Sequence, residues 1–170
     1  MPVGAAPDIP RVEEYTGQGL VEYVYFEADT FADYLNPTRA ELATGTTITP
    51  VLCGKEGWTS EVGQIPTPNA RDKDEGSIPG KRTYERSSVD TYVAQEGEDA
   101  RDLMVEGDAG FMGRYPSGDV AGRRLDLFPV RCASSTLMDD ISGEAADTNR
   151  FTFTITRRPL RNFTVPEHTP

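Results

Sequence analysis

Histidine is all but missing from this sequence: the only one, His168, is the third residue from the end of a 170-residue chain. A Ser-His-Asp or Cys-His arrangement needs an imidazole held rigidly by a third group, and a chain end does not hold one. Cysteine is scarce too. Cys53 and Cys132 lie far apart with no CxxC spacing, and two thiols plus one imidazole fall short of the paired four-ligand pattern of a structural zinc site. They read as buried free thiols in a reducing compartment, with a disulfide as the lesser alternative. Long apolar runs are absent, so no segment reaches the ~18 to 20 residues of a membrane span. The start, MPVGAAPDIPRVEEYTG, has neither a basic n-region nor an apolar h-region, so synthesis and folding in the cytoplasm are expected.

Positive charge is also in short supply. Lys and Arg number 17 against 28 Asp and Glu, a net charge of -11 and a pI of about 4.5. A free-standing nucleic-acid binder is disfavoured, because phosphate contact needs clustered basic residues. An acidic surface suits a different task, facing DNA without sticking to it. The near-motifs fail in detail. GSIPGK at 76–81 has three residues between its glycines and Arg82 after the lysine, where a phosphate loop has four and Ser or Thr, so it reads as a turn. DKDEG at 72–76 starts like a calcium loop, but its glycine is one position early and Thr83 stands where the bidentate acid belongs. Adjacent carboxylates such as Glu13-Glu14 and Asp139-Asp140 have no pocket-forming context. No catalytic residue, cofactor site or metal site is expected, and no enzyme.

What is present points to strands and turns. The 16 glycines and 13 prolines favour many turns, and the length suits one domain over 1–170 with a real core. Residues 1–18 read as an extended N-terminal arm. A strand follows at 20–26 (LVEYVYF), rich in aromatic and β-branched residues. Asn36 as cap, Pro37 at the first helical position and Gly45 as a left-handed stop predict a short helix of roughly two turns. A strand is expected at about 57–62 around Trp58, whose ring reads as core more readily than as a stacking anchor. Residues 63–80 (GQIPTPNARDKDEGSIPG) read as a long loop or extended hairpin without a core of its own. Further strands are expected at 81–93, 110–115 and 123–132, with a second helix over 98–105 (EDARDLMV). Pro129 argues for an edge or a bulge. The cleanest alternation is FTFTIT at 151–156, apolar at odd positions and Thr at even ones. A basic tail, 157–170, closes the chain. The class is all-β: a sandwich or partly open barrel with one or two short helices. Arms at both ends and a protruding loop imply packing against neighbouring subunits.

In order and spacing these pieces resemble a major tail tube protein of a long-tailed, siphovirus-like bacteriophage. The resembling stretches are NPTRAELATGTTIT (36–49), Gly57-Trp58, KRTYERSSVDTYV (81–93), EGDAGFMGRYP (106–116) and DLFPVRCAS (126–134), spread over about two thirds of the chain. The resemblance implies β-sandwich-like subunits in hexameric rings, each ring pooling its strands into one shared inner barrel, the rings stacking into a hollow tube in the virion. It implies that the loop and arms bridge rings, that DNA passes the acidic lumen without specific binding, and that a tape measure protein and a tail terminator are partners. No membrane is involved. The candidate inter-subunit or inter-ring contacts are Arg71, Asp72, Lys73, Asp74 and Glu75 in the loop and Arg157, Arg158 and Arg161 in the tail; simple solvation of these charges is the alternative. The short helix is expected on the outer face, away from the lumen. Two other functions stay open: a different tail or neck component such as a tail terminator, and an acidic β-sandwich serving as a binding or decoration module.

Overall fold

The computed structural model of the chain describes residues 20–53, 57–58, 60–67, 76–84, 87–93, 100–139, 142 and 146–167, with side chains undescribed at 65–67 and 76–78. The N-terminal arm, Arg71 to Glu75 and His168 lie outside the described residues. In chain order the strands are β1 (Glu22–Glu27), β2 (Thr46–Thr47), β3 (Ser60–Thr67), β4 (Gly76–Tyr84), β5 (Ser87–Tyr92), β6 (Ala109–Tyr115), β7 (Arg124–Met138), β8 (Thr148–Ile155) and β9 (Leu160–Thr164). Two one-turn helices, α1 (Arg39–Leu42) and α2 (Ala100–Leu103), and a 3-10 turn (Thr49–Val51) connect them. One antiparallel sheet runs β2-β1-β6-β7-β8-β5, with β9 also paired to β7; β3 and β4 form a separate two-stranded sheet.

Alternation along the strands builds two cores, one on each face of the main sheet. Tyr23 and Tyr25 of β1 point into the first, with Met112, Phe128, Val130, Phe151 and Phe153; Ile48, Met104 and Trp58 cover it. Val24 and Phe26 point into the second, with Phe111, Tyr115, Leu125 and Leu127, under Phe31, Tyr34, Leu42 and Val165. The run YVYF is therefore buried on both sides, which explains why its sequence shows no polar alternation. Trp58 stacks on Phe128 with ring centroids 4.3 Å apart and planes 12° off parallel, so its ring is core.

The sheet is bent round on itself. Residues 46–53 and Gly57 pair with β1 at one end, Thr47 opposite Val24, and with β5 at the other, Leu52 opposite Thr91 and Gly57 opposite Ser88. Laid flat, β2 and this strap beyond β5 would be six strand spacings apart, about 29 Å. The five-residue step from Thr47 to Leu52 spans at most about 18 Å. The sheet must therefore curl until its two ends approach, and the strap closes a partly open barrel.

Several local expectations are corrected. The helix cap is Thr38, not Asn36, and α1 is one turn. Thr38 accepts from the Glu41 N–H at 3.3 Å while Glu41 Oε2 accepts from the Thr38 N–H at 2.8 Å, a capping box that outcompetes the Asn-Pro start. Gly45 does not take a positive φ. It is small because a Cβ there would meet the Val24 and Phe26 side chains. Residues 63–67 and 76–80 lie in the paired strands β3 and β4, in agreement with the extended-hairpin alternative, but GSIPGK lies within β4 instead of forming a turn. The strand expected over 81–93 is two strands, β4 and β5, in different sheets. The tail folds back: residues 160–164 are β9, hydrogen-bonded to β7. The strand ending at Cys132 continues to Met138.

Pro129 sits neither on a sheet edge nor in a bulge but mid-strand on the central β7, opposite Phe111 of β6. Its carbonyl accepts from the Thr156 N–H at 2.9 Å, on the side away from β6. A residue's N and O point the same way in a strand, so the missing N–H faces the gap where β8 has ended and β9 has not begun. No ladder bond is lost there.

Glu41 carries more than the box, because its Oε1 also accepts the Ala32 N–H at 2.9 Å. The Ala32 and Thr38 backbone donors hold its carboxyl below the usual range. Glu41→Ala is expected to destabilise the monomer by about 1 kcal/mol. A lowered folded pKa contributes stability above the unfolded value and loses it as pH falls through the folded one. The cost, read from urea midpoints at pH 7 and pH 3, should thus shrink on acidification; a cost unchanged at pH 3 refutes the ionic part.

Candidate functional site

Among the described residues no three His, Cys, Asp or Glu are arranged to hold a metal ion. Burial pushes the Tyr25 hydroxyl up to about 12, the Tyr115 hydroxyl higher still and the Cys132 thiol upward, so all three stay neutral at physiological pH. Cys53 is half-buried and Cys132 is buried, and the two do not form a disulfide. A shallow hollow beside β1 is lined by Glu27, Asp29, Asp102 and Asp108.

The distinctive surfaces belong to the sheet. The second core ends at β7 and does not extend over β8 and β5. The face of 134–138, β8 and β5 opposite the first core is therefore mostly polar, with the exposed Tyr92 and Met138 flanking Thr148 at one end. Thr152 stands between Ser134 and Ser88, and Arg150 between Thr136 and Asp90. Arg150 is bound two-pronged by Asp90, Nε to Oδ1 at 2.8 Å and Nη2 to Oδ2 at 2.7 Å, which raises the guanidinium pKa and cancels both charges. The other cation on this face, Arg131, donates to the Gly107 carbonyl at 2.7 Å. Hydroxyls and internally spent charge dominate.

Beside this face lies an unpaired strand edge. Strand β6 covers β7 only as far as Arg131, where Ala109 pairs, and the Cys132 N–H closes the ladder on Asp108. Beyond that point, among the described residues, 133–138 pair with β8 on one side and with nothing on the other. Leu137 and Met138 at this end are 46% and 39% exposed. The bulge between Cys132 and Ser134 lets β7 leave β6 and follow β8.

A second unpartnered element is the hairpin. Among the described residues, strands β3 and β4 pair only with each other, and Glu61, Val62, Gln64, Lys81 and Arg82 are exposed. A two-stranded ribbon of this kind is marginal in water by itself. Its base adjoins the strap and β5, since Trp58 precedes β3 and β5 follows β4.

Of the residues singled out in the sequence, Arg71, Asp72, Lys73, Asp74 and Glu75 fall outside the described residues. Arg157, Arg158 and Arg161 are exposed at the β8–β9 corner. The Arg157 guanidinium lies 5.6 Å over the Tyr34 ring, and Arg161 lies 5.7 Å over Phe128. The Arg158 carbonyl accepts from the Tyr34 hydroxyl at 3.2 Å. These contacts tie the corner to its own subunit, and they leave each guanidinium edge facing solvent. The polar face and the open edge were not singled out. Their signal was SSTLM directly after the apolar DLFPVRC, a continuation of β7 into alternating polar residues.

A family model described as phage tail tube protein matches residues 10–168. No curated protein matches the sequence. Among solved structures, the chain is similar to the SPP1 tail tube in its hybrid solid-state NMR and cryo EM structure. The TM-score is 0.58, with 16% identity, over 86% of this chain and 78% of that one. At that identity the likeness is one of fold.

Proposed function

The chain belongs to the phage tail tube protein family and is a structural protein of the virion tail, and from that premise we propose that its copies polymerise as stacked hexameric rings into a hollow tube through which DNA is ejected into the host. The observation that carries this is the polar face of β7, β8 and β5. It is a sheet surface without an apolar layer, in a chain whose other central sheet surfaces are packed on both sides. Such a face suits a water-filled channel. Hydroxyls offer no counterions for DNA to release, and Arg150, already bound by Asp90, is not free to hold a phosphate. Carboxylates at the β7–β8 end, Asp139 and Asp147, add repulsion at the margin.

On this reading the chain is one domain whose arm, 1–18, and hairpin bridge successive rings. Arg71 to Glu75, between β3 and β4 in sequence, and Arg157, Arg158 and Arg161 at the β8–β9 corner then pair between subunits. A tape measure protein inside and a tail terminator at the end complete the assembly. The role is architectural, without catalysis or cofactor, and the subunit is made in the host cytoplasm. Helix α1 covers the second core on the β1–β6 wall of the curled sheet, away from the β8–β5 wall that carries the polar face, and on this reading faces outward.

Electron microscopy of the concentrated protein should show hollow tubes of uniform width. Isolated rings alone would favour a terminator, and protein that stays monomeric in the presence of preformed tube ends overturns the proposal. The channel face is tested with Thr152→Cys in a Cys53→Ser background. A small maleimide should label both monomer and tube, whereas a bulky polymer-linked maleimide should react at least tenfold more slowly with the tube. Equal bulky labelling of both forms places this face outside the channel.

A further inference from the structure

We propose that the folded subunit carries an internal water-binding site on the first-core side of the β5–β8 wall, built by Thr91 and Asn149. The inference concerns the single chain and stands or falls independently of the tube reading, which gives these two residues no part.

Register sets the pair side by side. Thr91 of β5 lies opposite Asn149 of β8. Alternate residues of both strands turn to the first core: Ser87, Val89 and Thr91 in one, Asn149, Phe151 and Phe153 in the other. Thr91 and Asn149 are fully buried. Across the sheet their row reads Leu52, Thr91, Asn149, Leu137, and the next row along the strands holds Val89 and Phe151. The polar pair is therefore bordered by apolar side chains on three sides. Among the described residues, Thr91 Oγ1, Asn149 Oδ1 and Asn149 Nδ2 have no hydrogen-bond partner. Ser87 Oγ and Trp58 Nε1, also without one, sit at the other end of β5 and belong to a different place.

An amide has two donors and an acceptor oxygen, and a hydroxyl can both donate and accept. Buried groups of this kind are almost always matched, by protein or by ordered water. Facing Cβ atoms on paired strands stand about 4.5 to 5.5 Å apart, so these short side chains share one small space. They do not bond each other across it. A water spans such a gap between facing polar atoms, and an internal water makes about three hydrogen bonds. The hydroxyl and the two ends of the amide offer three. Charge chemistry points the same way. Asp90 and Arg150, the sequence neighbours, turn to the opposite face and bind each other, so the site has no ionic side chain to hold an ion. Its three polar atoms equally disfavour an apolar occupant. Leu137, 46% exposed, is all that stands beside Asn149 toward β7's open edge, which gives water a short way in. The bound water ties β5 to β8 at the point where β8 begins, and explains an amide on the face that Phe151 and Phe153 make apolar.

Oxygen-17 magnetic relaxation dispersion of the unassembled subunit tests this, because it detects waters held inside a protein. The double variant Thr91→Val/Asn149→Leu removes all three polar atoms at nearly constant shape. Its dispersion amplitude should fall by at least one water relative to wild type; an equal amplitude overturns the proposal. Asn149→Leu alone strands the Thr91 hydroxyl and takes two bonds from the water, so it should melt at least about 2 °C lower than wild type. A higher melting temperature would mean that the amide was simply unmatched, and overturns the proposal too. Should the variants not fold, the wild-type protein still decides. The Asn149 side-chain amide protons should show a nuclear Overhauser effect to water with the sign of a long-held molecule, and the lack of one overturns the site.

Discussion

Phe153→Ala is expected to be the most damaging single truncation in the molecule, costing about 3 to 5 kcal/mol. The ring is fully buried, with Trp58 and Phe151 each at a centroid distance of 6.5 Å and Cys132 and Ser87 as its cross-strand neighbours. It therefore touches the strap, β5, β7 and β8 together, and no one of them can collapse into the space without dragging the others. A domain of this kind has roughly 5 to 15 kcal/mol in total, so the variant should lie close to unfolding. Urea denaturation followed by circular dichroism reads the effect as a lowered midpoint at unchanged slope. Phe153→Leu should cost less than about 1.5 kcal/mol, because it conserves most of the volume. A loss below about 1 kcal/mol for the alanine variant would show that the two halves of the sheet are not joined through this core.

Gly110→Ala is expected to cost about 3 kcal/mol, the upper end of what one added methyl does to a packed interior. Gly110 pairs with Glu27 across the β1–β6 ladder. A Cβ built there lands on the Tyr25 side chain and 2.7 Å from the Phe26 carbonyl oxygen. The Tyr25 ring can turn aside only by disturbing Met112 in the first core, and the carbonyl cannot move without opening the ladder. Gly57→Ala is the control. Nothing lies within 4 Å of a Cβ there, so its effect should stay within about 0.5 kcal/mol. Thermal melting of the two variants side by side checks the contrast. Equal melting temperatures would mean that β1 and β6 are not in close contact at Gly110.

Legibility in the sequence followed the range of the interaction. Strand β8 was readable because FTFTIT carries its own period, and Phe151 and Phe153 are buried while Thr152 and Thr154 are not. Strand β6 was readable for similar local reasons. The capping box was within reach, since Thr38 and Glu41 stand three apart, yet the neighbouring Asn-Pro start looked stronger. Strand β9 was not readable. LRNFT has no clear alternation, Asn162 takes a left-handed φ of 56°, and the pairing exists only because β7 outlasts β6 and β8 at that end. Pro129 misled for the same reason, because its acceptability depends on a gap between two other strands.

The sequence by itself determined what the protein is made of: antiparallel strands, few helices and a net negative charge. Those properties are local or additive, so composition and spacing express them. Only the tertiary structure decided that β1 is buried on both faces, that the strap joins β1 to β5, and that, among the described residues, one half of β7 pairs on one side only, beside a mostly polar face. Each of these depends on which strand neighbours which, and on their register. Pairing across more than a hundred residues, as between β1 and the tail that covers its second face, leaves no periodic trace in the segments themselves.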